Sequence, residues 1–259
     1  FFLQMSDEKF LTELWDLIEN EKINPEIDIN YEELQIKMVG TPQIDRISGK
    51  IKLSETFLSF LWSIIYSLYV LYEETIDFPY QNKVNAEITY PINSENIKSA
   101  KALFRYGESL INYYDAWDKE KLPNPERYKA EKRDYVEQTN AIYMESVRCI
   151  LIHEIIHAKE HLHLLEESTD GDRIRFEVEA DNGAIEIMLR KKTGIDEPQK
   201  FGHSIAVKIG VIVGILSEFY FRKRTTNKKS PNSEDRLTSA LEKLSLSDND
   251  QAWRSEERR

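Results

Sequence analysis

Apolar residues recur at helical spacing over most of this chain, and strict alternation is confined to one stretch near its start. Phe10 to Asn20 sets Phe10, Leu11, Leu14, Trp15, Leu17 and Ile18 along one side of an amphipathic helix. Ile27 to Val39 alternates well enough for strands. Gly40-Thr41-Pro42 followed by Ile47-Ser48-Gly49-Lys50-Ile51 predicts a turn and a further strand, giving a small antiparallel sheet. Ser54-Glu55 opens an aromatic helix from Phe57 to Tyr72, whose Trp62, Tyr66, Tyr69 and Tyr72 read as packing rather than as a recognition stripe. Lys83 to Tyr90 reads as one more strand, and Asn96 to Tyr114 as a helix. Trp117, a charge cluster and Pro123-Asn124-Pro125 make 115–127 a loop, either an exposed linker or a lid over a cleft.

Three longer helical runs follow. One extends from about Tyr135 to Leu165. A turn at Ser168-Thr169-Asp170-Gly171-Asp172 separates it from a second that reaches Lys192 and is ended by Gly194-Ile195-Asp196-Glu197-Pro198. The third, Gly202 to Phe221, carries Gly210 and Gly214 four apart, which in a folded core lets another helix approach closely. Beyond the basic stretch Arg222 to Lys229 a short helix carries Arg236, and Ser245 to Arg259 is polar and charged. The expected architecture is one mostly helical α+β domain over 1–245 with a small antiparallel N-terminal sheet, then a disordered tail over 246–259.

The most apolar runs, Phe57 to Leu71 and Ile205 to Phe221, fall short of the roughly 20 residues a membrane span needs, so they read as buried helices. Phe1-Phe2-Leu3-Gln4 ahead of Met5 is too short for a secretory signal and lacks its basic residues, and is expected to precede a native start at Met5. With 259 residues and 41% hydrophobic content the chain can bury a sizeable core, which excludes disorder throughout. A net charge of −11 argues against binding nucleic acid or an anionic membrane non-specifically. The single cysteine, Cys149, is expected to be buried and fits a reducing cytoplasm.

Within the run from about Ala141 to Leu165 stands His153-Glu154-Ile155-Ile156-His157, an H-E-x-x-H sequence. Four residues apart on a helix, both imidazoles can reach one Zn2+ while Glu154 leans toward the water such a metal carries. The same five letters also occur by accident, so the reading turns on a third ligand. His163, six residues beyond His157, has the metzincin spacing, but Glu160 stands where that motif needs glycine to turn the chain back. Glu177, in Arg175-Phe176-Glu177-Val178-Glu179-Ala180-Asp181, sits on the next helix, which can pack antiparallel and turn it toward the His pair. Asp181, one turn on, could then accept the free ring N–H of a ligand histidine and set its tautomer. The competing reading makes Glu177, Glu179 and Asp181 a solvated helix start. His161 reads either as a surface residue or as one that packs or lines the cleft.

His153, Glu154 and His157 followed by Glu177 and Asp181 resemble the Lit-type phage-exclusion peptidases and, more distantly, the prenyl-protein and heat-shock-type membrane gluzincins. The likeness extends through Ser204 to Phe221 and Ser230-Pro231-Asn232-Ser233-Glu234-Asp235-Arg236-Leu237, and upstream to the Ile27-to-Leu53 and Phe57-to-Tyr72 regions. The resemblance implies a host-encoded cytoplasmic zinc endopeptidase of zincin-like fold that cleaves translation elongation factor Tu when a phage-derived trigger is present. This chain has Ser230-Pro231 where the family pattern has His-Pro. His203 or Arg236 therefore becomes the candidate donor to the oxyanion, and Arg236 also reads as a helix-surface residue paired with Glu234 or a neighbour. Zinc on His153, His157 and Glu177, with Glu154 as general base, is the expected chemistry, and an edge strand could pair with an extended substrate. The rival readings are a catalytically silent peptidase fold that senses a phage or host peptide by binding, and a structural protein whose motif is accidental.

Overall fold

The computed structural model describes residues 7–30, 40–45, 47–84, 92–164, 167–190, 197–221 and 232–244. They fall into two compact units. One comprises the chain to Tyr31, Gly40–Ser54 and the chain from Met144 to Leu246; the other is built on Glu55–Tyr143. The expected tail, 246–259, lies outside the described residues.

The first unit begins with α1 (Glu8–Glu19), started by the Asp7 carboxylate accepting the Phe10 N–H at 3.0 Å. Phe10, Leu14 and Leu17 go into the core, whereas Trp15 remains 50% exposed, so the buried stripe is narrower than the apolar pattern suggests. Three strands follow: β1 (Ile27–Asn30), β2 (Gln43–Ile44) and β3 (Ile51–Ser54), in the order β1-β3-β2. The sheet is mixed rather than antiparallel, because β1 runs parallel to β3 with Ile27 opposite Ile51, and only β2 is antiparallel. Alternating polarity sets which face of a strand is buried and says nothing of its direction. The strand expected at Ile47–Ile51 is also displaced. The Asp45 carboxylate accepts the N–H groups of Ile47 and Ser48, and Gly49 takes a φ of 65°, so this stretch is a turn and β3 starts where it ends.

Also in this unit, among the described residues, are the end of α5 (Arg133–Ile156, from Met144 on), α6 (Asp170–Leu189), α7 (Glu197–Phe221) and α8 (Ser233–Lys243). Thr169 and Asp172 form a reciprocal cap at the start of α6, where the sequence predicts the turn. The paired glycines of α7 act as expected. A Cβ on Gly210 would lie 2.5 Å from Glu145 Cβ, and one on Gly214 would lie 3.2 Å from the Ser146 carbonyl oxygen. Their bare backbone lets α7 lie directly on α5, a turn or two before the His pair. Cys149 is buried there.

The second unit pairs α2 (Glu55–Tyr72) with α4 (Ser94–Leu110). Trp62 and Tyr66 are buried and stacked at 5.1 Å, and Trp62 donates to Asn140 Oδ1 at 2.8 Å, so the aromatic run is packing. A π-helical turn (Glu73–Asp77) carries α2 into α3 (Phe78–Val84); Lys83 is therefore helical where a strand was expected, and 85–90 lie outside the described residues. The continuous helical run Glu55–Gln81 is, among the described residues, the one long and apolar enough to cross a membrane, and 56% of its most apolar window is buried inside the protein. The 115–127 loop is not an exposed linker. Trp117 lies 5.4 Å from Trp62 and 5.7 Å from Tyr106, and buried Asn124 ties the loop to itself through the Lys119 carbonyl.

Candidate metal centre

His153 lies in the last turn of α5, and His157 begins a π-helical turn (His157–His161) that continues it. Their spacing brings the rings edge to face at 4.6 Å, with the two Nε2 atoms 2.9 Å apart. Glu177 comes from α6. One carboxylate oxygen stands 3.7 Å from His153 Nε2 and the other 3.7 Å from His157 Nε2. These three side chains offer ligand atoms within 4.8 Å of one another, a grouping that could hold a metal ion.

The donor chemistry fits such an ion. Bonds of 2.0–2.1 Å at tetrahedral angles put neighbouring ligand atoms about 3.3 Å apart, which the observed separations bracket. His153 Nδ1 lies 3.0 Å from Asp181 Oδ1, so this nitrogen carries the proton and Nε2 presents its lone pair toward His157. Glu177 Oε2 is closed to solvent and accepts no hydrogen bond among the described residues, and with the Arg236 guanidinium 3.6 Å away it keeps a lone pair that a metal ion can use. Burial first, then the neighbouring His153 and His161, lower the His157 pKa to about 2, keeping the ring neutral as a ligand must be.

Asp181 is buried behind His153. Arg236 clamps it, donating from Nε to Oδ2 at 2.5 Å and from Nη2 to Oδ1 at 2.6 Å. Burial pushes the Asp181 pKa up, but the hydrogen bonds and charges of His153 and Arg236 outweigh it and hold the group at about 2, fully ionised near neutral pH. The reading of Asp181 as part of a solvated face therefore fails, and so does that of Arg236 as a surface residue. Arg236 is 3% exposed, lies over Phe219 and brings Nη1 to 3.6 Å from Glu177 Oε2. Its burial was readable, because Arg236, Ala240 and Leu244 repeat at four-residue spacing and share the buried face of α8.

Glu154 is buried beside its neighbour His153, and its Oε2 accepts the Ile44 N–H of β2 at 2.9 Å. His163 is exposed, as expected of a chain that stays helical past Glu160. His203 lies on α7 with its side chain outside those described, and Ser230 lies outside the described residues. His161 is buried, and its ring stacks on Phe176 at 4.5 Å. Packing along the His153/His157 face is one of the two readings the sequence leaves open for His161, and the surface reading fails; the π-helical turn that carries it has no obvious signature in the sequence.

A family model described as Peptidase U49 matches residues 51–255, about four-fifths of the chain, including His153, Glu154, His157, Glu177, Asp181 and Arg236. No curated protein and no solved structure matches. The chain belongs to the peptidase U49 family.

Proposed function

We propose that this member of the peptidase U49 family is a zinc-dependent endopeptidase of gluzincin type, with a zincin-like arrangement of α5 and α6. The observation that carries the proposal is the convergence of His153 Nε2, His157 Nε2 and the Glu177 carboxylate, with Glu154 buried directly after the first ligand. Zinc bound there supplies a Lewis acid that polarises a peptide carbonyl and lowers the pKa of water toward about 7.

The chain's own groups do the rest. Glu154 takes the proton of the attacking water and hands it to the departing amine, while the Ile44 N–H holds one oxygen of that carboxylate in place. Asp181 keeps the proton of His153 on Nδ1, so Nε2 stays a ligand. His203 or Arg236 is the candidate donor to the oxyanion; Arg236, engaged with Asp181 and beside Glu177, acts first by holding those carboxylates. The Lit-type likeness of the sequence supports a cytoplasmic protein substrate, elongation factor Tu, cut in phage-triggered defence after a phage-derived peptide arrives. Nucleic acid and membrane are not among the proposed partners, as the acidic balance of the chain suggests.

The test incubates wild type and Glu154→Gln with a bacterial cytoplasmic extract, with and without lysate of phage-infected cells, and reads new protein termini by mass spectrometry. A new terminus made by wild type alone, in one abundant translation factor, is the expected result. The same terminus with both proteins, or none with wild type under either condition, removes the peptidase reading.

A further inference from the structure

His161 and Glu179 extend the metal centre on the side away from Asp181. His161 Nδ1 lies 3.0 Å from His157 Nδ1, and His161 Nε2 lies 3.0 Å from Glu179 Oε2. A carboxylate only accepts, so the Glu179 contact places a proton on His161 Nε2, and with a single proton on the ring Nδ1 is an acceptor. The facing nitrogen of His157 must then donate, which fixes the His157 proton on Nδ1 and turns its Nε2 lone pair toward His153 and Glu177.

The backbone is shaped for this contact. In an α-helix a residue four positions beyond His157 would advance past the ligand face, continuing the drift from His153 to His157. The π-helical turn His157–His161 is wider, so the same four residues make less than a full circle and bring His161 back under His157. Phe176 of α6, stacked at 4.5 Å and 17° between planes, holds the His161 ring in that orientation.

We infer that His161 and Glu179 are a positioning pair that fixes the tautomer and orientation of His157 as a metal ligand, matching on this side what Asp181 and Arg236 do for His153. This rests on the zinc reading of the site. His161 touches no substrate and acts through His157.

Zinc affinity, measured by competition against a chromophoric chelator, tests the pair without reference to catalysis. His161→Asn places a carbonyl oxygen where Nδ1 stood and keeps the acceptor; His161→Leu removes it but keeps an apolar side chain against Phe176. Outer partners of metal ligands typically contribute about 10- to 100-fold, so His161→Leu should weaken zinc by that factor and His161→Asn should recover most of it. The absorption bands of the Co2+-loaded protein should change in His161→Leu and return toward wild type in His161→Asn. A residue present only to pack on Phe176 predicts the reverse order, and that order, or equal affinities, overturns the inference. If His161→Leu does not fold, Glu179→Ala, at a position whose side chain is 51% exposed, carries the test, and unchanged zinc affinity there is equally fatal. Wild type that binds no zinc overturns the metal reading itself, and the pair with it; wild type that binds zinc while the variants match it overturns the pair alone.

Discussion

The two histidines of the candidate metal centre are held from behind in different ways. His153 rests directly on Asp181, a buried carboxylate clamped by Arg236, so its support is short, ionic and shut away from water. His157 rests on the ring of His161, and the carboxylate beyond it, Glu179, stands half in solvent beside Arg175. The difference follows from the cost of burying charge: a carboxylate in the interior needs a matched cation, which α8 delivers to Asp181. On the other side a second imidazole spans the gap, and the charge stays at the surface where water stabilises it. The two ligands should therefore differ in how much they lose when their outer support is cut.

The largest effect belongs to the carboxylate that both sides share. Glu177→Ala should strip most of the zinc from the purified protein, because Glu177 oxygens stand 3.7 Å from both ligand nitrogens and no other carboxylate joins that cluster among the described residues. Glu179→Ala should cost far less. Metal analysis after dialysis against chelator-free buffer compares the two, and equal retention would remove Glu177 from the ligand set.

Next comes the ionic support. Arg236→Met leaves Asp181 buried without its cation, and breaking a buried pair in this way costs about 3–5 kcal/mol, so the variant should unfold at clearly lower urea than wild type. Asp181→Asn keeps the shape of the side chain and should weaken zinc by about 10- to 100-fold with the helix intact by circular dichroism. Asp181→Asn should also lose more zinc affinity than Glu179→Ala. If the two losses are equal, burial of the outer carboxylate has no bearing on ligand strength and the contrast between the two sides collapses.

A smaller effect tests the frame that both sides share. In Gly210→Ala the new methyl would meet Glu145 Cβ at 2.5 Å and the Glu145 carbonyl carbon at 3.0 Å, so α7 must shift off α5. Overpacking of this kind costs about 1–3 kcal/mol, and urea denaturation should show it with zinc affinity little changed. A loss of zinc as large as that of Asp181→Asn would mean that the seat of α7 on α5, and not the outer carboxylates, positions the ligands.

Much of this site is legible in the sequence. His153 and His157 are four apart, as are Glu177 and Asp181, on consecutive helical runs, and helical periodicity alone puts each pair on one face with Glu154 beside the first. His161 was legible only in part: helical spacing offers it as a further step along the His153/His157 face, but its contact with His157 lies in a π-helical turn that the residue types of His157-Ala158-Lys159-Glu160-His161 do not announce. The direction of β1 escaped because alternation is the same read either way, and the turn at Asp45 escaped because one side chain capturing two backbone N–H groups outweighed the β-branched Ile47.

The smallest expected effect separates the two readings of Arg236. A surface arginine on α8 would take Glu234 as its partner, and removing that partner would loosen it. In the structure both Nε and Nη2 go to Asp181, while the start of α8 is capped by Asn232, whose side chain accepts the Glu234 backbone N–H at 3.2 Å. Glu234→Ala keeps that N–H and removes only an exposed carboxylate near a helix N-terminus, so stability should fall by no more than about 0.5 kcal/mol and zinc affinity should not move. Thermal unfolding and chelator competition on this one variant decide the matter, since a zinc loss approaching that of Asp181→Asn would place Glu234 in the support of His153 and make the Arg236 clamp three-way.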